Sequence, residues 1–222
     1  MARQKHRQDE FLEAAFDLGQ WFERHWRTVL RGAGIFVLAA ILIAAIFGWK
    51  QHQVALATTA LEAGTAAFGR AADSEFVDFD ALADALVHFE KAEARAGGSA
   101  PGPLASYYRG VALYRLGRAE EAIEALEGFV TRASGEHPLD WAGRALLAQL
   151  QADAGNAERS IALLQEVTGP DSDYPVEQAL LQLGIVQQSM GNATAARESW
   201  QRVVDEFAGS SSAREALGLL DS

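Results

Sequence analysis

Five histidines, His6, His25, His52, His88 and His137, are the side chains best suited to hold a metal or relay a proton near neutral pH. No two of them stand at helical i, i+4 spacing and none belongs to an HExxH pattern, so metal-assisted hydrolysis has no ligand set. Asp171 and Asp173, in GPDSDYP, open like a calcium loop, but the turn glycine and the closing glutamate are missing where coordination needs them. They read as solvated turn acids. Asn192-Ala193-Thr194 matches a glycosylation acceptor, yet it directly follows Gly191, where an inter-helix turn itself calls for glycine and asparagine. Phosphate-cradling GxxxxGK and GxGxxG runs are absent, as is a nucleophile elbow. The sequence has no cysteine, which excludes disulfides, thiolate metal sites, a Cys nucleophile and a lipid anchor on Cys. The expectation is a protein with no catalytic residue, cofactor or metal, whose work is binding.

The elements that would position a binding surface are organised around Gly32 to Trp49, GAGIFVLAAILIAAIFGW, eighteen uncharged residues between Arg31 and Lys50. As a helix this run reaches about 27 Å, close to the roughly 30 Å hydrocarbon core of a bilayer. Residues 32–49 are read as a single membrane span, with a buried core helix or the apolar part of a signal peptide as the alternatives. Trp26 and Trp49 stand 23 positions apart, so each can sit at one headgroup layer. Arg3, Lys5, Arg7, Arg24, Arg27 and Arg31 precede the span, whereas after Lys50 no base follows until Arg70; this excess puts the N-terminus in the cytoplasm. Ala55-Leu56-Ala57 is a pattern a signal peptidase could accept, but the long leader and long apolar run suit an uncleaved anchor better. Ala40, Ala44 and Gly48 share one face of the span, a small-residue ladder on which a partner helix can approach closely in lipid.

Residues 1–31 form a cytoplasmic tail whose first eight residues are polar and expected to be disordered. From Asp9 to Trp26 the apolar residues Phe11, Ala15, Leu18, Phe22 and Trp26 recur at helical spacing. This is an amphipathic juxtamembrane helix, which lies in the leaflet, docks on a membrane partner, or simply leads into the span. Past Lys50 the alanine- and leucine-rich segment to about Phe68 continues the helix, until Gly69 and the acids Asp73, Glu75 and Asp78 break it. A second helix over 79–96 gathers Ala81, Leu82, Ala85, Leu86, Phe89 and Ala92 on one side. The breaker GGSAPGP, residues 97–103, follows. Residues 50–100 thus read as a degenerate first helical pair. Residues 51–222 carry twelve bases against twenty-five acids, a net charge of −13 and no electrostatic footprint for nucleic acid.

Residues 101–222 repeat. YRLGRAEEAIEALEGFV, QADAGNAERSIALLQEV and QQSMGNATAARESWQRVV align on Gly117, Gly155 and Gly191, which are 38 and 36 residues apart. Seven residues before each glycine stands a small residue (Gly110, Ala148, Gly184), five after it another (Ala122, Ser160, Ala196), and nine after it a bulky one (Leu126, Leu164, Trp200). The pattern resembles the tetratricopeptide repeat, a helix-turn-helix in which small residues let two helices close on a large one. Pro138, Pro170 and Pro175 fall between pairs, Pro101 and Pro103 in the linker before them, and Ser212 to Leu220 has room for a capping helix. The fold expected is all-α: an N-terminal transmembrane helix followed by a tetratricopeptide-like helix-turn-helix solenoid. The resemblance implies a concave groove lined by the first helix of each pair. It would hold Tyr107, Val111, Tyr114 and Arg115, then Ala145, Gln149 and Asp153, then Leu181, Ile185 and Gln188. Exposed aromatics with an arginine suit an extended peptide, whereas Tyr107 and Tyr114 would equally fit packing against the preceding pair.

The order of parts, a short amphipathic helix, one span ending in Gly48-Trp49, then a small acidic repeat domain, is similar to that of the YfgM-like family of bacterial inner-membrane proteins. Gly191 with Ala196-Arg197 and Trp200 resembles that family's GxxxxARxxW ending, and Leu104-Ala105-Ser106 its alanine-rich counterpart; Lys50-Gln51-His52 departs from it by lacking a second aromatic. The resemblance implies an ancillary subunit of the SecYEG translocon. Its periplasmic domain would work beside a membrane-anchored periplasmic chaperone on exported or unfolded polypeptides, held by the lipid bilayer near the translocon exit. The alternative from the repeats alone is a scaffold of another envelope assembly, such as a cytochrome-maturation, division or secretion complex.

Overall fold

The computed structural model describes the backbone of residues 2–73, 77–133 and 137–221, and side-chain surroundings for residues 25–27, 30–72, 77–133 and 137–221. The helices are α1 (Ala2–Asp73), α2 (Phe79–Ala96), α3 (Pro101–Arg115), α4 (Ala119–Ala133), α5 (Asp140–Asp153), α6 (Ala157–Val167), α7 (Val176–Ser189), α8 (Ala193–Glu206) and α9 (Ser211–Leu220). No strand occurs among the described residues. The chain divides into two units, Met1–His52 and Gln53–Ser222.

In the first unit every side chain described, from Leu30 to His52 and at residues 25–27, is exposed. Ile35, Phe36, Leu38, Ile41, Leu42, Ile43 and Phe47 each expose more than half of their surface, an arrangement unfavourable in water and favourable in lipid. Within His25–Ala72 lies an 18-residue window of mean hydropathy 2.5 with none of it buried, long and apolar enough to cross a membrane. Ala40 and Ala44 are exposed, and nothing approaches within 4 Å of the position a Cβ would take on Gly48. The surface of the expected amphipathic helix lies outside the described side chains, except at residues 25 and 26. The backbone is already helical at Ala2, where disorder was expected, because no proline or glycine interrupts the first eighteen residues.

The second unit is a stack of helical pairs. Its first pair is the part of α1 from Gln53 onward with α2, followed by α3/α4, α5/α6 and α7/α8, and α9 closes the row. Each later pair turns on a glycine with positive φ, Gly117 at 73°, Gly155 at 83° and Gly191 at 77°, which a side chain would strain. Among the described residues, three helix starts are capped by side chains. Asp78 accepts a hydrogen bond from Ala81 N at 2.9 Å, Ser210 Oγ from Ala213 N at 3.0 Å, and Asn192 from Ala195 N at 3.4 Å. The last of these fits the turn reading of Asn192.

Two boundaries differ from the sequence reading. α1 passes through Gly69 to Asp73, since one helical glycine costs only about 1 kcal/mol and Phe68 and Ala71 on either side pack into the core. α3 begins at Pro101, so both linker prolines sit in its first turn, where a missing N–H leaves no bond unmade.

The spacing of small and large residues sets how closely each pair packs. A Cβ on Gly110 would stand 2.6 Å from Leu126 Cγ, and one on Gly184 would collide with the Trp200 indole. Ala148 and Leu164, their counterparts, are both buried in the same core. The first pair, expected to lack such a motif, has one: a Cβ on Gly64 would lie 2.6 Å from Phe89 Cε1, with Ala85 fully buried one turn before Phe89. Gly143 faces Phe129 in the same way between successive pairs. Around these approaches Leu126, Phe129, Leu147, Leu163, Leu180 and Val203 are fully buried, each worth about 1.5–3 kcal/mol relative to exposure.

Two glycine substitutions separate close packing from helix propensity. Gly184→Val should destabilise by about 1–3 kcal/mol through overpacking against Trp200. Gly218→Ala, with open space around it in α9, should stabilise by up to about 1 kcal/mol. Urea unfolding of the full chain in detergent, followed by circular dichroism, measures both, and equal effects would contradict the packing account.

Candidate protein-binding groove

The inner side of the stack is identified by which helices touch. The first helices of successive pairs meet, α5 with α7 and α7 with α9, whereas α4, α6 and α8 do not pair with one another in this way. Side chains join α3 to α5 as well, Gln149 Nε2 donating to the Tyr114 hydroxyl at 3.4 Å. The free faces of these first helices share one side of the stack, the side on which a groove is expected.

The expected groove residues divide by exposure. Tyr114, Arg115, Asp153, Ile185 and Gln188 are exposed, Tyr114 by 38% and Ile185 by 36%; Val111, Ala145 and Gln149 are half-buried. Leu181 is buried and its carbonyl accepts from Trp200 Nε1 at 3.3 Å, so its backbone anchors the close pair. Tyr107 is half-buried with its ring centre 5.3 Å from that of Phe129 and 5.5 Å from that of Tyr108, packing within its own pair rather than against the preceding one. Tyr108 is the residue that reaches back, stacked on Phe89 at 5.6 Å. Arg115 places its guanidinium carbon 4.6 Å from the ring centre of Phe68.

Three further residues near the first helices were not singled out in the sequence. Phe68 stands four residues after Gly64, as Tyr114 stands four after Gly110, but the longer connection in the first pair hides that register. Met190 is 45% exposed just before the turn glycine. Tyr174, in the connection before α7, lies close enough to Tyr107 to affect its ionisation. Burial raises the pKa of both Tyr107 and Tyr174, and the neighbouring phenols Tyr108 and Tyr174 add to the effect at Tyr107.

Ionic joints fix neighbouring helices beneath this face. Glu93 of α2 pairs with Arg109 of α3 at 3.1 Å and with Arg132 of α4 at 2.8 Å, and accepts from Ser106 Oγ at 2.8 Å. Asp140, fully buried, accepts from Arg144 Nε at 2.7 Å, and Arg144 also bridges to Glu166 of α6. Partial burial works against the Arg144 charge, but Asp140 and Glu166 outweigh it and hold its pKa above the ordinary value. Among the histidines, His52 is exposed, His88 lies 3.6 Å from Asp84, and His137 Nδ1 accepts from Leu139 N at 3.1 Å. No three His, Asp or Glu side chains converge as a metal site among the described residues.

Stacked helical pairs presenting one continuous inner face define a helical-repeat scaffold for protein–protein interaction, a non-catalytic architecture. The chain belongs to the tetratricopeptide repeat-like domain family, which matches residues 20–219. No curated protein matches it. Among solved structures it is similar to MamA, at TM-score 0.58 and 20% identity over 75% of this chain and 85% of that one. It is also similar to YrrB, a TPR protein with an unusual peptide-binding site, at TM-score 0.54 and 22% identity over 81% and 88%. A tetratricopeptide repeat protein from Parabacteroides merdae aligns at TM-score 0.57 and 18% identity over 72% and 59%. At these identities the likeness is one of fold.

Arg144→Ala should cost about 3–5 kcal/mol, since it leaves the fully buried Asp140 uncompensated. Adding Asp140→Asn should restore part of that loss, and denaturant midpoints of the two variants decide it. Because folding raises the tyrosine pKa values, their contribution is complete below the unfolded value near 10.0 and is lost as pH rises through the folded values. Tyr107→Phe should therefore flatten the fall in stability above about pH 10, read as thermal midpoints across an alkaline series.

Proposed function

We propose that this protein is a membrane-anchored client-handling subunit at the Sec translocon of a bacterial inner membrane. Residues 32–49 span the membrane with the N-terminus in the cytoplasm, and the repeat domain lies in the periplasm. The reading is carried by one combination: an apolar segment with every side chain exposed, in the same chain as a repeat domain whose first helices leave Tyr114 and Ile185 exposed, with Met190 exposed at the end of α7. The excess of bases before residue 32 supports the orientation, and the likeness in layout to YfgM-like proteins supports the SecYEG translocon and a membrane-anchored periplasmic chaperone as partners. The peptide-binding site of YrrB, a protein of similar fold, supports a polypeptide as the groove's ligand here.

The mechanism is binding without chemistry. The span holds the groove beside the translocon, with Ala40, Ala44 and Gly48 as the face for a partner helix, and tethering raises the groove's effective concentration near emerging chains. Tyr107, Val111, Tyr114, Arg115, Gln149, Asp153, Leu181, Ile185 and Gln188 mark the groove. Exposed side chains such as Tyr114 and Ile185 contact the client, whereas Tyr107 and Leu181 hold the wall in shape.

Photocrosslinkers at Ala44 and Tyr114, used in native membranes with adducts identified by mass spectrometry, test this. Translocon subunits at Ala44 together with exported chains or a periplasmic chaperone at Tyr114 are expected. A single unrelated envelope complex at both positions would sink the reading in favour of a fixed scaffold.

A further inference from the structure

Charge around the start of α7 is one-sided. Between Arg159 and Arg197 the sequence has no Lys or Arg, while Glu166, Asp171, Asp173 and Glu177 fall in that stretch. Glu166 is paired with Arg144, but Asp171 and Asp173 are exposed, and neither forms an ion pair with any described residue. Tyr174 and Tyr107 of α3 pack on the same core, and α7 starts at Val176, so this acidic connection lies at the N-terminal end of a first helix. At the opposite end of the first helices, the position two residues before the turn glycine is Arg115 in α3, Asp153 in α5 and Ser189 in α7, all exposed. Only the first of these is a cation, and Arg115 lies against Phe68. Clamping an acidic segment or a chain-terminal carboxylate takes free, converging Arg or Lys groups, and the groove positions named above include no second one.

We infer that the groove takes an extended, positively charged polypeptide segment. Its aliphatic side chains lie on Tyr114, Ile185 and Met190, and its lysines or arginines face Asp153, Asp171 and Asp173. The inference rests on the groove reading given above and adds the chemistry of the client. Exposed carboxylates are screened and individually weak, so recognition is broad, fast and salt-sensitive, which suits transient contact with many chains.

The test uses the full chain in nanodiscs of neutral phosphatidylcholine, so that a basic probe has no anionic lipid to bind. The probes are a labelled unstructured peptide of leucine, serine and lysine and its counterpart with glutamate at each lysine, read by fluorescence anisotropy. The lysine peptide should bind about tenfold more tightly at low salt, with the gap closing as salt rises. Asp171→Lys with Asp173→Lys should remove most of that preference, whereas Glu120→Lys with Glu124→Lys, on the outer helix α4, should leave it unchanged. Equal affinity for the two peptides overturns the charge assignment and leaves the groove reading standing. An equal loss from the α4 pair also overturns it, as general attraction to an acidic domain. Unchanged binding in Tyr114→Ser with Ile185→Ser, with the helical spectrum intact, overturns the groove reading itself.

Discussion

Everything in the repeat unit depends on how closely two helices of a pair can approach, and that is decided by a small residue, glycine in three pairs of four, facing a large one. Gly64 opposite Phe89, Gly110 opposite Leu126 and Gly184 opposite Trp200 each leave no room for a Cβ. Helices drawn this near exclude water from the leucines and phenylalanines around them, which is where most of the stabilisation resides. The same approach fixes the angle of each pair, and stacking successive pairs brings the first helices together and makes their free faces one surface. That common surface is therefore a by-product of core packing. No residue had to be placed on that face to create it.

Polar joints add order to a core that is otherwise permissive. Glu93 ties three helices together through Ser106, Arg109 and Arg132, and the buried Asp140 ties α5 to α6 through Arg144 and Glu166. A pairing shifted along the helices would strand these charges away from water, which favours a single register over its neighbours. Arg109 and Arg144 are also partly withdrawn from solvent in these joints, whereas Arg132 stays exposed. What remains on the inner face is mostly neutral or acidic.

Which residues fall on the first helices was legible in the sequence, but not which of them stay exposed. The turn glycines place Tyr107 and Leu181 at one height on their first helices, with Ile185 and Tyr114 nearer the turn, and sequence alone cannot rank them. Whether such a residue meets solvent depends on what the neighbouring helix brings opposite it. Phe129 covers Tyr107 and the α7/α8 approach closes over Leu181, while Tyr114 and Ile185 stay open to solvent. Phe68 and Tyr174 joined the site from segments that carry no repeat signal, one before a lengthened connection and one in a loop.

The sequence by itself determined the exposed apolar segment, the helical periodicity, the three turn glycines and the extent of α2. These follow from properties each residue carries locally: hydropathy, helix propensity and tolerance of positive φ. Tertiary structure alone decided that the first pair uses the same small-to-large approach as the others. It also decided that Pro101 and Pro103 open a helix, and which carboxylates are paired. Those outcomes turn on contacts between residues distant in the chain, and a spacing changed by one longer connection hides them from any reading along the sequence.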